Sequence, residues 1–153
     1  MVANGPSGYR TSVADKISVE DRSRLMARVS GKNTQPELRV RKALHAAGFR
    51  YRLHRRDLPG TPDLILPKFR TAVQVHGCFW HGHDCPKGRR PQSNVEFWNA
   101  KLDRNAARDE ANRQALVGRG WHVLTVWECS VDQGIEHILT HLHALVGSSE
   151  SAR

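Results

Sequence analysis

The segment His76-Gly77-Cys78-Phe79-Trp80-His81-Gly82-His83-Asp84-Cys85 constrains this chain more than any other stretch. Its histidines and cysteines recur with neither a helical nor a strand period, so it is a loop whose residues serve something other than burial. Four residues separate Cys78 from His83 and one separates His83 from Cys85, a spacing that wraps a single ion. Thiolates and imidazoles suit tetrahedral Zn²⁺. Cys129, after a strand-like run, is placed to supply the fourth ligand from afar. A closed set of this kind is structural, because no position remains for water. The plainer alternative is buried free cysteines beside surface histidines. Three cysteines without an export signal argue against disulfides, and an odd count fits thiolate ligation better than pairing.

The rest of the chain reads as a mixed α/β domain, a small sheet with flanking helices, over 18–146. Tails at 1–17 and 147–153 are expected to be disordered. Residues 18–30 form a short basic helix with Leu25, Met26 and Val29 on its apolar side. Thr34 and Glu37 make a capping box that opens a helix to Ala47, with Leu38, Leu44 and Ala47 facing the core and Gly48 as its stop. Strands follow at 49–53, 63–66 and 71–76, the last two hairpin-like. Ser93 and Glu96 make a second capping box before a long helix bearing Phe97, Trp98, Leu102, Ala106 and Leu116. The apolar run Trp121 to Trp127 predicts a central strand buried on both faces. Ile135, Ile138, Leu139, Leu142 and Leu145 space out a final helix.

Charge selects the partner. Lysine and arginine number 24 against 15 acidic residues, a formal +9, and they cluster at Arg50 to Arg56 and Lys87 to Arg90. A polyanion is the expected partner, bound in a salt-dependent way. A solvated basic face is the competing explanation. No apolar stretch reaches the roughly 18 residues of a membrane span, and the N-terminus lacks a secretory block, which points to a cytoplasmic protein.

Asp63 follows the turn Leu58-Pro59-Gly60-Thr61-Pro62. Alone it reads as a turn carboxylate. In a hairpin it converges with Gln74-Val75-His76, where a carboxylate and a main-chain carbonyl form an oxygen site for Mg²⁺. Such an ion polarises a phosphoryl oxygen. His76 and His81, spare from the zinc clip, can activate water or protonate a leaving group near neutral pH. Phosphodiester hydrolysis is the sharpest reading of these residues. Glu37 has two roles open to it, capping glutamate or an active-site carboxylate that orients a histidine.

Pro59-Gly60-Thr61-Pro62-Asp63, the His76–Cys85 loop, Glu96-Phe97-Trp98, Gly120-Trp121 and Val126-Trp127-Glu128-Cys129 resemble, in order, the very short patch repair DNA mismatch endonucleases. The resemblance spans roughly Asp21 to Cys129. It implies a restriction-endonuclease-like core that nicks one strand 5′ of the thymine in a T:G mismatch left by 5-methylcytosine deamination. It implies Asp63 and the Val75 carbonyl as Mg²⁺ ligands, His81 as the water-activating residue with His76 and Glu37 beside it, and Cys78, His83, Cys85 and Cys129 as structural Zn²⁺ ligands. Phe79, Trp80 and Trp98 align with the aromatics that wedge beside the mismatch, and Met26 with an apolar tip entering from the minor groove. Trp98 has a competing reading as a core residue on its helix.

The expected protein is a monomer that acts on duplex DNA at the nucleoid, with functional links to a cytosine-5 DNA methyltransferase and to mismatch-repair proteins. The alternative enzyme is a restriction-like or nicking endonuclease of broader specificity associated with a methyltransferase. A non-catalytic zinc-stabilised DNA-binding module is the third class, opposed by Asp63 and the two spare histidines.

Overall fold

The computed structural model describes residues 31–150 and the single position Arg24, which is helical and exposed. The chain divides into two units, 1–31 and 32–153. The expected tail 1–17, most of the basic helix 18–30 including Met26, and residues 151–153 lie outside the described residues.

The second unit begins with helix α1 (Gln35–Ala46). Thr34 caps it as the sequence predicts. Its hydroxyl oxygen accepts the Glu37 amide at 3.4 Å, and its hydroxyl lies 3.2 Å from Glu37 Oε1. The buried face differs from expectation. Leu38 and Ala47 are exposed, while Glu37, Val40, Arg41 and Leu44 are buried. Those four keep the i, i+3, i+4, i+7 period of one helix face, but two of them are charged. The apolar residues alone therefore gave the wrong phase.

Strands β1 (Arg52–Leu53), β2 (Leu64–Leu66) and β3 (Thr71–His76) form an antiparallel meander, with a 3₁₀ turn at Pro67–Phe69 between β2 and β3. Helix α2 (Val95–Gly118) then carries the chain back to β4 (His122–Trp127), which pairs parallel to β3 with Thr71 opposite His122 and His76 opposite Trp127. Helix α3 (Val131–Glu150) follows a second 3₁₀ turn at Glu128–Ser130.

The sheet order is β1-β2-β3-β4. Strand β4 is thus an edge of the sheet, not its centre, and β2 and β3 are the interior strands. Apolar residues run along β4 because helices cover both of its faces. Leu124 and Val126 pack toward one core cluster, Val123 and Trp121 toward the other. Only Val126 is fully buried.

Side chains alternate along β2 and β3 and build a core on each face. Leu64, Leu66 and Val73 join Val40, Leu44, Ile138 and Leu142, whereas Ile65 and Ala72 join Leu58 and Leu116. Burying a residue such as Leu142 completely stabilises the fold by roughly 1.5–3 kcal/mol. Gly134 lets α3 lie on β4, since a Cβ there would sit 2.7 Å from Val126 Cγ1.

Two further expectations are corrected. The capping box at Ser93 does not form; Asn94 is the N-cap, in a left-handed conformation (φ 52°) and without a side-chain capping bond, and Phe97 and Ala106 are exposed. The tail expected from 147 is helical as far as Glu150, where no proline interrupts α3 and Ser148 Oγ donates back to the Ala144 carbonyl. A small mixed sheet with helices on both sides is the restriction-endonuclease-like α/β arrangement implied by the resemblance.

Candidate active site and metal clip

The alternation of β3 that fills the two cores also distributes the chemistry at its C-terminal end. Gln74 and His76 face α2, with Thr125 and Trp127 beside them on β4. A cavity of about 220 Å³ lies there, lined by His76, His81, Asp109 and Arg113 among others. His81 Nδ1 is 2.5 Å from Asp109 Oδ2. A carboxylate only accepts, so Nδ1 carries the proton and Nε2 is the nitrogen free to take one. The His76 and His81 rings stack in parallel, with centroids 3.8 Å apart. Burial, with the neighbouring His81, lowers the His76 pKa to about 4.

Asp63 lies at the same end of the sheet, at the start of β2. Its Oδ2 accepts the Val75 amide at 2.7 Å. Burial raises its carboxyl pKa to about 6; the Val75 amide opposes that shift and Glu37 reinforces it. Glu37 is 1% exposed. Its Oε2 accepts from the Asn33 amide at 3.0 Å and from Arg41 Nη2 at 2.7 Å. Glu37 therefore both caps α1 and faces the Asp63 neighbourhood. His54 sits between the two carboxylates, its pKa lowered chiefly by burial. A buried carboxylate and a half-buried one, both offering hard oxygen donors, fit a divalent cation such as Mg²⁺.

A second candidate metal site is built from sulfur and imidazole. Cys78, His83, Cys85 and Cys129 place their ligand atoms within 4.8 Å of one another. Cys129 Sγ lies 3.3 Å from His83 Nδ1. Burial pushes the Cys78 thiol up to about 12. At Cys85 burial acts in the same direction, but hydrogen bonds with His83, the Gly88 amide and the other two thiols bring it down to about 7. Clustered thiols of this kind suit a cation that takes thiolates, and soft ligands with one imidazole fit Zn²⁺. The loop is tightly wound, since a Cβ on Gly88 would fall 1.9 Å from the His83 carbonyl oxygen. Trp127 stacks on the His83 ring at 4.1 Å.

Phe79 and Trp80 emerge half-buried between these sites and pack edge-on with centroids 5.0 Å apart. Trp98 is 7% exposed and forms the floor beneath Phe79 at 5.3 Å. Lys101 Nζ lies 5.4 Å from the Trp80 ring centroid and 5.5 Å from that of Trp98. Asn105 Nδ2 donates to the Trp80 carbonyl and holds the loop on α2.

Sequence reasoning missed Asp109, Arg41 and His54. Asp109 had a signal. Trp98, Leu102, Asn105, Asp109, Asn112 and Leu116 lie four and three residues apart in turn along α2, so Asp109 shares the inward stripe with the buried Trp98, Leu102 and Leu116.

Comparison with known proteins agrees with this geometry. Residues 14–87 match the family model for the DNA mismatch endonuclease Vsr. The type II nicking enzyme V.XorIIP of Xanthomonas oryzae pv. oryzae is 49% identical over 78% of this chain and 88% of its own length. The chain belongs to the Vsr family of DNA endonucleases. The type II nicking enzyme V.NmeAIP of Neisseria meningitidis is 43% identical over 78% of this chain and 85% of its own length. The DNA mismatch endonuclease Vsr of Escherichia coli is 35% identical over 78% of this chain and 76% of its own. Membership makes the chain an enzyme whose substrate is DNA. Among the described residues no helix is long and apolar enough to cross a membrane.

Proposed function

We propose that this Vsr-family enzyme nicks one strand of duplex DNA 5′ of the thymine in a T:G mismatch, with Mg²⁺ held by Asp63 and the Val75 carbonyl near Glu37. The observation that carries the reading is the His81–Asp109 pair stacked on His76, at the same end of the sheet as Asp63. Bound Mg²⁺ supplies polarisation of a phosphoryl oxygen and stabilises charge on the leaving oxygen. Asp109 fixes the His81 tautomer, and His81 Nε2 takes the proton of the attacking water. His76 packs against His81 and holds its plane. Cys78, His83, Cys85 and Cys129 bind Zn²⁺ and anchor the loop that carries both histidines.

Mismatch sensing rests on Phe79 and Trp80, with Trp98 supporting them and Met26 as a further apolar contact to the DNA. A T:G wobble stacks weakly, so prising its step open is less unfavourable than at a matched pair, and each inserted ring recovers about 1–3 kcal/mol. Specificity then comes from deformability as well as hydrogen bonds. All the proposed site residues belong to one chain, so a monomer suffices. Activity of this kind would accompany a cytosine-5 methyltransferase and pass nicked DNA to repair proteins in the cytoplasm.

A duplex labelled on one strand tests the reading. A T:G heteroduplex is nicked on the thymine strand in Mg²⁺, and a matched C:G duplex is not. Equal cutting of both removes the mismatch claim. The name type II nicking enzyme borne by V.XorIIP and V.NmeAIP favours a second reading, a nicking endonuclease of broader specificity associated with a methyltransferase, which cleavage of matched DNA would support. Replacing Asp109 by Asn lowers the single-turnover rate by about 10²–10⁴-fold with DNA affinity retained, because the His81 tautomer is released. An unchanged rate would remove the proton-transfer role of the pair.

A further inference from the structure

Arg41 is buried deep in α1, an expensive place for a guanidinium, and its contacts show what it does there. Nη1 donates to Asn33 Oδ1 at 2.7 Å, and Nη2 donates to Glu37 Oε2 at 2.7 Å. Nη2 also lies 3.1 Å from His54 Nε2, while Nε, buried, has no partner. Arginine has donors only, so Nε2 of His54 must be the acceptor and the ring proton must sit on Nδ1. His54 Nδ1 lies 4.0 Å from Asp63 Oδ1, a polar approach longer than a hydrogen bond. On the other side His54 Nε2 is 3.9 Å from Glu37 Oε2. One imidazole therefore stands between the two candidate metal-binding carboxylates, with its tautomer set by Arg41.

The backbone makes this placement deliberate. Leu53 pairs with Leu64 across β1 and β2, so the chain delivers His54 directly opposite Asp63, and the His54 amide donates to the Asp63 carbonyl at 3.3 Å. His54 holds a left-handed conformation (φ 45°), which a side-chain-bearing residue keeps only when its surroundings enforce it. Asp63 Oδ2 is already taken by the Val75 amide.

We propose that His54 is a positioning residue of the divalent-cation site, its Nδ1–H orienting Asp63 Oδ1 while Arg41 locks the ring. This assignment deepens the proposed function and rests on Asp63 being the metal-binding carboxylate. The unsatisfied Arg41 Nε and the strained His54 backbone are penalties that the arrangement accepts in order to orient a carboxylate that the Val75 amide holds by one oxygen only.

The test is Mn²⁺ binding, read by the loss of the free-ion electron paramagnetic resonance signal, on the intact zinc-loaded chain. Wild type is compared with Asp63→Asn, His54→Gly and His54→Asn. Glycine removes the side chain and suits the left-handed backbone; asparagine tolerates the same backbone and keeps a donor near the Nδ1 position. Wild type binds an ion that Asp63→Asn loses, His54→Gly weakens that binding by roughly 10-fold or more, and His54→Asn recovers most of it. Thermal midpoints of the two His54 variants stay together, which separates positioning from folding. Undiminished binding in His54→Gly, or equal weakening in the glycine and asparagine variants, overturns the assignment. The nicking assay on the same wild-type sample distinguishes the two failures. Absent nicking with the binding pattern intact sinks the nuclease reading alone, and normal nicking with His54-independent binding sinks only the role of His54.

Discussion

Asp63 is a carboxylate held where water solvates it poorly, and the consequence is measurable without DNA. Its pKa in the folded chain is about 6, raised mainly by burial, against roughly 3.9 when unfolded. An acid with a raised folded pKa opposes folding once it ionises. The penalty is absent below about pH 4, grows toward pH 6 and is complete above it. Asp63→Asn keeps an oxygen for the Val75 amide and removes the charge. In metal-free buffer at pH 8 the variant is therefore more stable than wild type by ~1–3 kcal/mol in urea denaturation, and the difference disappears near pH 4. The same variant does not nick DNA in Mg²⁺. A wild type more stable than the variant at pH 8 would mean that Asp63 is satisfied without a cation.

At the scale of elements, the helices explain both what sequence reveals and what it hides. The existence, type and approximate limits of α1, β3, α2 and α3 are legible because turns, caps and apolar spacing agree. The phase of α1 is not, because Glu37 and Arg41 occupy its buried stripe and a count of apolar residues alone turns the helix toward Leu38. The Cys/His cluster and the two histidines beside it are legible because most of those residues are crowded into one loop. The roles of Asp109 and His54 are not, because each becomes meaningful only once the fold brings it beside its partner, His81 or Asp63. Charge on the inward stripe of a helix was the overlooked clue in both α1 and α2.

Helix α2 also separates two roles within the aromatic group. Trp98 is 7% exposed and supports Phe79, whereas Phe79 itself is half-buried. Trp98→Ala empties a core site and lowers stability by about 3–5 kcal/mol, seen as a large fall in the denaturation midpoint. Phe79→Ala lowers stability less and instead narrows the difference in nicking rate between T:G and matched duplexes. If the two variants fall together in stability with discrimination unchanged, the aromatics are core packing and nothing more.

For the described unit as a whole, the proposed zinc clip would be a long-range staple. Its ligand cluster joins the loop after β3 to Cys129 in the turn after β4, so a bound ion would fix the parallel pair β3–β4 at the end where the candidate catalytic groups sit. The staple and the hydrolytic site use different chemistry: sulfur and imidazole in the first, buried carboxylate oxygen in the second. The two ions should therefore be separable. Removing zinc with a strong chelator, or replacing Cys129 with Ser, lowers the thermal midpoint, because metal binding free energy is folding free energy at such sites. Nicking is then lost in proportion to the protein that unfolds. Exchanging Mg²⁺ for Ca²⁺ leaves the midpoint where it was and stops turnover, since the larger ion fits the oxygen donors without supporting the same geometry. Differential scanning fluorimetry beside the nicking assay reads both effects on one sample. A Cys129→Ser chain that folds with an unchanged midpoint and binds no zinc would leave the loop held by packing alone, through Gly88 against the His83 carbonyl and Trp127 against the His83 ring.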